Sequence, residues 1–477
     1  MRALLNSISL FAANVFSSAA SYLVIVLIAR HLGAASFGVY SFAIAYAGFF
    51  VTIPNFGLDR IVIREVSRNK PAASEYVMTA GSIRLGFLAL GVVIAVTVTK
   101  LFRYPADTQV IVLVLGLSLV VNLFSELFRS VYFAFEAMPA ETVIRAFGRT
   151  ITVVAVAIAV YSGRGLLEVA WAILLASLVE VTTYGFLAQR RFGLHRVNLN
   201  WGIVKKTVLA SSPLAINTML VVAYFRLSMV VLTTLKGAQA AGWFAAAFAF
   251  IQLLQLVSGS VAAVALPIMS RQQRQSHDQL LASLNKATYY LLLLVGPVSL
   301  VICFMAKHLV LFVYGTQFMP AVESLRLLIW ASVFMFMGSI YGAALISLDK
   351  EQGLIAIGVI ALVVNMTTNF LAIPRWSYMG ATLATLITEA SVAALAYAFV
   401  SRALKGFSIS SLMVKPVSVT LVLAVAMLMM RSCPWVLQAF LATLVYVLTV
   451  ILIRAVQRED WQMLSAFTAA RSVQDVI

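Results

Sequence analysis

Acidic residues and cysteine are scarce in this sequence of 477 residues. It has 17 Asp and Glu against 34 Lys and Arg, and its two cysteines are Cys303 and Cys433. Two cysteines so far apart predict neither a disulfide framework nor a metal site. The four histidines lie in separate segments, with no carboxylate or cysteine at ligand spacing. We therefore expect no bound metal.

Motifs for catalysis and nucleotide binding are also missing. No Gly-rich loop precedes a Lys-Ser or Lys-Thr pair, so ATP-driven transport by this chain alone is not expected. A membrane-embedded polysaccharide polymerase would need a large outer loop with catalytic arginines or carboxylates. The longest predicted outer loop, about 307–322, contains no Asp or Glu. These absences predict a protein that is not an enzyme and requires no cofactor.

Apolar residues are in excess, at 62% of the chain against about half in soluble domains. A transmembrane helix needs about 20 mostly apolar residues, so the sequence predicts an all-α membrane protein. Fourteen runs are predicted to span the membrane, at about 7–29, 38–56, 78–99, 108–128, 143–161, 166–187, 208–233, 241–266, 287–306, 323–346, 353–372, 378–400, 415–430 and 435–453. The run at 415–430 is the weakest, which leaves twelve or thirteen spans as alternatives.

The distribution of positive charge predicts the orientation. The first run is longer than the apolar part of a signal peptide and another run follows closely, so we expect it to be retained. With the N-terminus placed inside, 23 of the 34 Lys and Arg fall in inner segments and 8 in outer segments. This asymmetry predicts that both termini are cytoplasmic. Because these residues are scattered over short loops, we attribute them to topology and lipid headgroups, not to nucleic-acid binding.

A repeat is visible within the chain. Residues 32–46 share a pattern of Gly, Ala and aromatic residues with 236–250, at an offset of 204, and 178–180 resembles 387–389 at an offset of 209. In the first pair, each copy is predicted to contain a Gly-containing turn between two helices. Repeated halves are typical of transporters. The prediction is two pseudo-symmetric six-helix bundles, an extra helix pair and a cytoplasmic tail, at 1–200, 201–405, 406–455 and 456–477.

Charged residues within predicted spans are candidate site residues, because each is costly in lipid unless it has a partner or faces a cavity. The candidates are Arg84, Arg226, Glu180 and Glu389 within spans, with Arg30 and Arg326 near outer span ends. Arg226 lies about two-thirds of the way along span seven, and no Asp or Glu occurs between Glu180 and Asp278. We favour a cavity-lining role for Arg226 over a structural bond. The other arginines lie nearer span ends, where they can also act as anchors.

The acidic candidates and the missing acids bear on the substrate. Glu180 and Glu389 lie deep in spans six and twelve, at matching places in the two halves. Each could pair with an arginine or could titrate during transport. Spans one, seven and eight contain no carboxylate, which a carrier of organic cations would be expected to present. Arginines without acids favour an anionic substrate, such as a phosphate or pyrophosphate group.

Four motifs carry a resemblance to a known family. They are residues 29–40 (ARHLGAASFGVY), 55–58 with the basic loop to position 68, 314–328 with the helix that follows, and 380–385 (GATLAT). In this order, over residues 5–400, they are similar to motifs of the Wzx-type polysaccharide-biosynthesis flippases. The superfamily also contains lipid II flippases and multidrug extruders. Many members read Arg-Ile-Asp in span seven, where this chain keeps Arg226 and has Ser228 in place of the acid.

The resemblance implies a flippase that moves an undecaprenyl-pyrophosphate-linked oligosaccharide across a bacterial inner membrane, by alternating access of two halves. It implies a cationic cavity for the head group and places Arg30 in it. The candidates for this cavity are Arg30, Arg226, Arg84 and Arg326, and the candidates for charge partners or coupling are Glu180 and Glu389. Implied partners are membrane lipids, a polysaccharide polymerase and a chain-length regulator. The alternatives are a lipid II flippase and a multidrug or cation antiporter of the same superfamily.

Overall fold

The computed structural model describes residues 2–55, 58–101, 104–195 and 201–456. Within them the chain is almost entirely helical and contains no β-strand, which confirms the predicted all-α class. An α-helix satisfies its backbone N–H and C=O groups within its own segment, where lipid offers no partner. Nearly all of the predicted tail, and Phe56 and Gly57 of the second motif, lie outside the described residues.

Twelve α-helices are present in the described residues. They are α1 (Arg2–Asn55), α2 (Leu58–Arg68), α3 (Ala73–Leu101), α4 (Ala106–Ala134), α5 (Met138–Tyr161), α6 (Leu166–Phe192), α7 (Trp201–Gln275), α8 (His277–Tyr314), α9 (Ala321–Ser347), α10 (Glu351–Ala403), α11 (Ser410–Met429) and α12 (Trp435–Leu452). Short 3₁₀ turns occur at Lys70–Ala72 and Thr316–Phe318. In the part of the chain that the structure describes, ten helices are long and apolar enough to cross a membrane. The protein is therefore a multi-pass membrane protein.

Three helices have more than 50 residues, and each contains a break. α1 has 54 residues, about 80 Å of helix, whereas the hydrocarbon core is about 30 Å thick. The backbone leaves the helical region at Gly33 in α1, at Gly237 in α7 and at Ser377 in α10. Each of these helices covers two of the predicted spans. The total of fourteen spans stays a prediction.

The basic segment predicted as a loop after the second motif forms the short helix α2. Its apolar residues Leu58, Ile61, Val62 and Val66 recur at helical spacing and are buried. Leu58, Val62 and Val66 pack on apolar residues of α3 and α4, while the three arginines of α2 are exposed. The helix is therefore amphipathic and lies on the bundle.

The helices form two compact units. The first unit contains residues 1–253, 310–324 and 354–388, and the second unit contains 254–309, 325–353 and 389–477. In the first unit, α4 and α5 each pack on both α1 and α6. In the second unit, α11 and α12 pack on each other and on apolar residues of α8, including Leu293 and Leu300. The division into six-helix halves at about residue 200 stays a prediction.

Candidate functional site

The two glycine turns of the predicted repeat have the same backbone conformation. Gly33 in α1 has φ 82° and ψ 175°, and Gly237 in α7 has φ 84° and ψ 175°. Glycine adopts this positive-φ conformation without the strain that a Cβ atom would bring. The turn that the sequence predicts is therefore present twice, 204 residues apart.

The helix segments that follow the two turns touch backbone to backbone. A Cβ atom added to Gly38 would lie 1.7 Å from the carbonyl oxygen of Ala238, and one added to Gly242 would lie 1.9 Å from that of Ala34. The same offset of 204 relates both pairs, so the contact is reciprocal, as in a two-fold symmetric interface. Two glycines thus allow the two repeat copies to meet within the first unit.

The third sequence motif holds both turns in place. Gln317 Nε2 donates a hydrogen bond to the carbonyl oxygen of Arg30 (3.4 Å), and Trp243 Nε1 donates one to the carbonyl oxygen of Gln317 (3.1 Å). The ring of Phe318 is 6.1 Å from that of Phe37, and both rings are buried. The third motif therefore has a structural role, because it connects the two turns.

Arg226 of α7 lies beside Gly48 of α1. Its Nη1 donates a hydrogen bond to the carbonyl oxygen of Ile44 at 2.7 Å. A Cβ atom added to Gly48 would lie 2.3 Å from Cζ of Arg226, so the missing side chain at position 48 makes room for the guanidinium. Arg226 precedes Gly237 by eleven residues, which is about 16 Å of helix and about half of the hydrocarbon thickness.

The guanidinium of Arg226 has unused donor capacity. It carries five N–H groups, and the carbonyl oxygen of Ile44 is its hydrogen-bond partner among the described residues. Within the same residues it forms no ion pair, and its side chain is half-buried rather than enclosed. A charge at this depth is costly in lipid unless it faces a cavity or a partner. Arg226 is therefore suited to bind an anion.

The serine that replaces the acid of the Arg-Ile-Asp motif belongs to a neutral polar network. Asn369 Nδ2 donates hydrogen bonds to Ser228 Oγ (3.0 Å) and to the carbonyl oxygen of Asn365 (2.8 Å). Asn365 Nδ2 donates one to Thr388 Oγ1 at 3.0 Å, and all four side chains are buried. Sequence reasoning missed this network, although two asparagines four positions apart in an apolar span are a signal for it. The network is uncharged, so it does not neutralise Arg226.

Arg30 lies three residues before the turn at Gly33, and its side chain is exposed. Its Nη1 donates a hydrogen bond to the carbonyl oxygen of Phe312 at 3.3 Å. Because Phe312 and Arg30 belong to the first unit, this contact adds to the bonds that hold the turn. The remaining N–H groups of the guanidinium can face an anion at this end of the unit.

A family model matches the part of the chain that contains both turns and Arg226. Residues 3–273 match the family described as polysaccharide biosynthesis protein. The chain belongs to this family. The match confirms the resemblance carried by the motifs. No curated protein sequence matches the chain.

The chain is similar to solved structures of a flippase and of multidrug transporters. The chain is similar to the lipid II flippase MurJ in an inward closed conformation, at 13% identity over 94% of this chain and 99% of that one, with a TM-score of 0.74. It is also similar to an inward-facing multidrug resistance transporter of the MATE family, at 12% identity over 82% and 96%, with a TM-score of 0.64. A MATE transporter in complex with MaL6 gives 15% identity over 83% and 94%, with a TM-score of 0.55. This polysaccharide biosynthesis protein thus has the fold of the MOP-superfamily transporters.

Arg84 of this family member is enclosed within the first unit. It is 1% exposed, and its Nη2 pairs with Oδ1 of Asp59 at 2.8 Å. Its Nη1 donates a hydrogen bond to the carbonyl oxygen of Leu123, and Ser130 Oγ donates one to the same Asp59 oxygen at 3.1 Å. These contacts join α2 to α3 and α4. A part for Arg84 in substrate binding stays a prediction.

Two further candidates, Arg326 and Glu389, lie in the second unit of the family member. Arg326 is near the start of α9 and is half-buried. Glu389 is in α10 and is 3% exposed, directly after Thr388 of the neutral network. Their predicted roles, a cationic group for the substrate and a charge partner, stay predictions.

Glu180 of α6 lies over Gly148 of α5. A Cβ atom added to Gly148 would lie 2.6 Å from Cγ of Glu180, and the Glu180 side chain is buried. Arg149, Arg129 and Arg145 lie close enough to act on its charge. The acid Glu141 acts on it as well, so the charges around Glu180 are three positive and one negative. A role in coupling stays a prediction.

Glu141 is a buried acid that sequence reasoning missed. It is 0% exposed, and its Oε1 lies 2.9 Å from Nε of Arg145 and 3.7 Å from Nε of Arg129. Arg145 Nη1 also donates a hydrogen bond to Asn14 Oδ1 at 2.8 Å, and Tyr184 donates one to Glu141 at 3.4 Å. The i, i+4 spacing of Glu141 and Arg145 is the local signal for the pair. This cluster joins α1, α4, α5 and α6.

Proposed function

We propose that this protein is a flippase that moves an undecaprenyl-pyrophosphate-linked oligosaccharide across the bacterial inner membrane, for surface polysaccharide biosynthesis. The observation that carries the proposal is Arg226, a half-buried guanidinium deep in a membrane helix without an ion pair among the described residues. The polysaccharide biosynthesis family and a fold shared with a lipid II flippase support it.

The head group of the proposed substrate fits an arginine site in charge and geometry. Each phosphate of a pyrophosphate diester carries a negative charge, and a planar guanidinium donates paired N–H bonds to phosphate oxygens. We assign the head group to Arg226 and Arg30, which both belong to the first unit. Arg326 and Arg84 complete the proposed cationic set, and Glu180 and Glu389 are the proposed charge partners or coupling residues.

The contact between the two repeat copies suits the proposed alternating access. Gly38 and Gly242 meet carbonyl groups of the facing helix segment. Among the described residues no ion pair joins these segments, so their separation would break none. Arg226 uses the carbonyl oxygen of Ile44 on α1. A movement of this part of α1 away from α7 would release Nη1 of Arg226 for the phosphate.

Transport in reconstituted vesicles tests the proposal. We would measure outward movement of a labelled pyrophosphate-linked oligosaccharide lipid by wild type, Arg226→Ala, Arg226→Lys and, as a matched control, Arg164→Ala at an exposed turn. Loss of a charge-assisted hydrogen bond, about 1.5–3 kcal/mol, should slow the Ala variant by about 10–100-fold. The Lys variant should keep part of the rate, and the control should keep all of it.

Two results would overturn the proposal. If Arg226→Ala transported the lipid as fast as the control variant, Arg226 would not belong to the substrate site. A wild-type protein that moves no lipid-linked oligosaccharide but expels an organic cation would make it a multidrug transporter instead. The fold likeness to MurJ makes lipid II a second candidate substrate, and unlabelled lipid II added as a competitor distinguishes the two lipids.

We further propose that both termini are cytoplasmic and that a polysaccharide polymerase and a chain-length regulator act with this flippase. The excess of Lys and Arg in the predicted inner segments supports the orientation. The polymerase and regulator follow from the family's process, in which exported units must be joined and chain length limited.

A further inference from the structure

A cavity of about 520 Å³ lies in the second unit, where the beginnings of α8 and α11 meet the end of α12. This volume is within the range of about 300–1,000 Å³ that ligand pockets occupy. Its lining residues are Ala282, Asn285, Lys286, Tyr289, Tyr290, Ser411, Leu412, Val414, Lys415 and Ala455. The cationic site proposed above does not include any of them.

The charge of this cavity is positive. Lys286 and Lys415 contribute ammonium groups, and none of the described lining residues is acidic. Asn285, Ser411 and the two tyrosines add neutral polar groups. An ammonium group attracts a phosphate as a point charge, and amide and hydroxyl groups can donate to its oxygens. The lining therefore favours an anionic ligand.

The residues after α12 are fixed to the other two helices at this cavity. Lys415 Nζ donates a hydrogen bond to the carbonyl oxygen of Arg454 at 3.1 Å, and the Tyr289 hydroxyl donates one to that of Ala455 at 2.8 Å. Arg454 has φ 50°, a left-handed conformation that is costly for a residue with a side chain. These bonds keep the chain across the end of the cavity, so the pocket is built by contacts among three helices.

The predicted spans place both lysines at the depth of lipid headgroups. Lys286 directly precedes the predicted span 287–306, and Lys415 begins the predicted span 415–430. An apolar face of α11 continues from the cavity into the hydrocarbon region. Val414, which lines the cavity, is followed at helical spacing by Val417, Leu421 and Val425, and all four side chains are exposed within the unit. A headgroup in the cavity could thus extend an acyl chain along α11.

We propose that this cavity binds the phosphate of an anionic phospholipid, with Lys286 and Lys415 at the phosphate and the acyl chain on α11. Basic pockets between membrane helices on the cytoplasmic side are suited to such headgroups. The predicted orientation places the cavity in the leaflet where transport would begin. The inference concerns this pocket alone and does not depend on the identity of the transported lipid.

Thermal unfolding of the full-length protein in detergent tests the proposal. We would add phosphatidylglycerol, phosphatidylcholine or inorganic phosphate and compare wild type with Lys286→Gln/Lys415→Gln. The matched control is Lys350→Gln/Lys405→Gln, two exposed lysines of the same unit that do not line the cavity. A Lys286→Arg/Lys415→Arg variant keeps both charges and separates loss of charge from loss of packing.

Phosphatidylglycerol should raise the Tm of wild type, the control and the Arg variant, whereas phosphatidylcholine should not. At about 1 kcal/mol per lysine, the double Gln variant should need at least about tenfold more phosphatidylglycerol for the same shift. An equal response in the double Gln variant would overturn the proposal. A shift of the same size with inorganic phosphate would make this a site for free phosphate and not for a lipid.

Discussion

Gly48 carries no charge, yet the position of the Arg226 guanidinium depends on it. A Cβ atom at position 48 would lie 2.3 Å from Cζ of Arg226, which no pair of atoms tolerates. Gly48→Ala should therefore displace the guanidinium while the charge of the protein stays the same. We expect flippase transport in vesicles to fall roughly tenfold, the cost of one weakened charged hydrogen bond.

Gly116→Ala is the control for this variant, because its added Cβ would meet Cβ of Ala47 at 3.5 Å, an ordinary contact. It changes the same residue type against the same segment of α1. Transport that is unaffected in Gly48→Ala would show that the observed place of Arg226 is not the place where it acts. Equal losses in the two variants would point to packing instead.

Arg84 and Arg64 both form ion pairs, but their environments differ. Arg84 is 1% exposed beside Asp59, and Arg64 is 52% exposed beside Glu65. Arg84→Ala leaves a partly buried carboxylate without its partner, which should cost about 3–5 kcal/mol of the free energy of unfolding. Arg64→Ala should cost about 0–1 kcal/mol.

Denaturant unfolding in detergent measures both values. A small and equal loss in the two variants would contradict a structural role for the Arg84–Asp59 pair. If Arg84→Ala instead kept its stability and lost transport, that result would support the prediction that Arg84 contacts the substrate.

At the scale of elements, α1 and α7 are the helices on which the reciprocal contact depends. Alanine at position 242 would bring its Cβ atom to 1.9 Å from the carbonyl oxygen of Ala34. A backbone carbonyl cannot rotate away as a side chain can, so the two helix segments would have to separate. We expect Gly242→Ala to lower the free energy of unfolding by about 1–3 kcal/mol, the usual cost of overpacking.

Gly259→Ala provides the opposite case in the same helix. A Cβ atom at Gly259 would have no neighbour within 4 Å, and alanine is favoured over glycine in a helix by about 1 kcal/mol. This variant should be as stable as wild type or more stable. If Gly242→Ala and Gly259→Ala were equally stable, the contact between the repeat copies would be refuted.

At the scale of the whole molecule, the orientation in the membrane is open to a direct test. Arg164 lies in a predicted outer segment and Lys405 in a predicted inner one, and both side chains are exposed. With Cys303 and Cys433 replaced by serine, Arg164→Cys should react with a membrane-impermeant maleimide on intact cells. Lys405→Cys should react only after the membrane is permeabilised.

The two positions belong to different units, so they report on each part of the chain separately. The reverse pattern would show that the protein is inserted with the opposite orientation. If both positions reacted on intact cells, Lys405 would lie outside like Arg164. That result would contradict the predicted number of spans between the two positions.

Much of the fold can be predicted from local sequence. The all-α class follows from apolar runs of membrane length, because lipid leaves a segment no way to satisfy its backbone other than within itself. The turns at Gly33 and Gly237 were predictable because a positive φ needs a residue without a Cβ atom. Arg226 was predictable as a candidate because a charge in an apolar span is rare and costly.

Other features depend on which helix faces meet, and apolar helices give little local indication of that. Asp59 lies 25 positions from Arg84, and nothing in the two segments shows that they pair. The need for glycine at position 48 follows from an arginine 178 positions away. The sequence by itself determined a helical membrane protein with a repeated turn and a deep arginine. The tertiary structure decided the partners of those residues, because side chains distant in sequence become neighbours only when the helices pack.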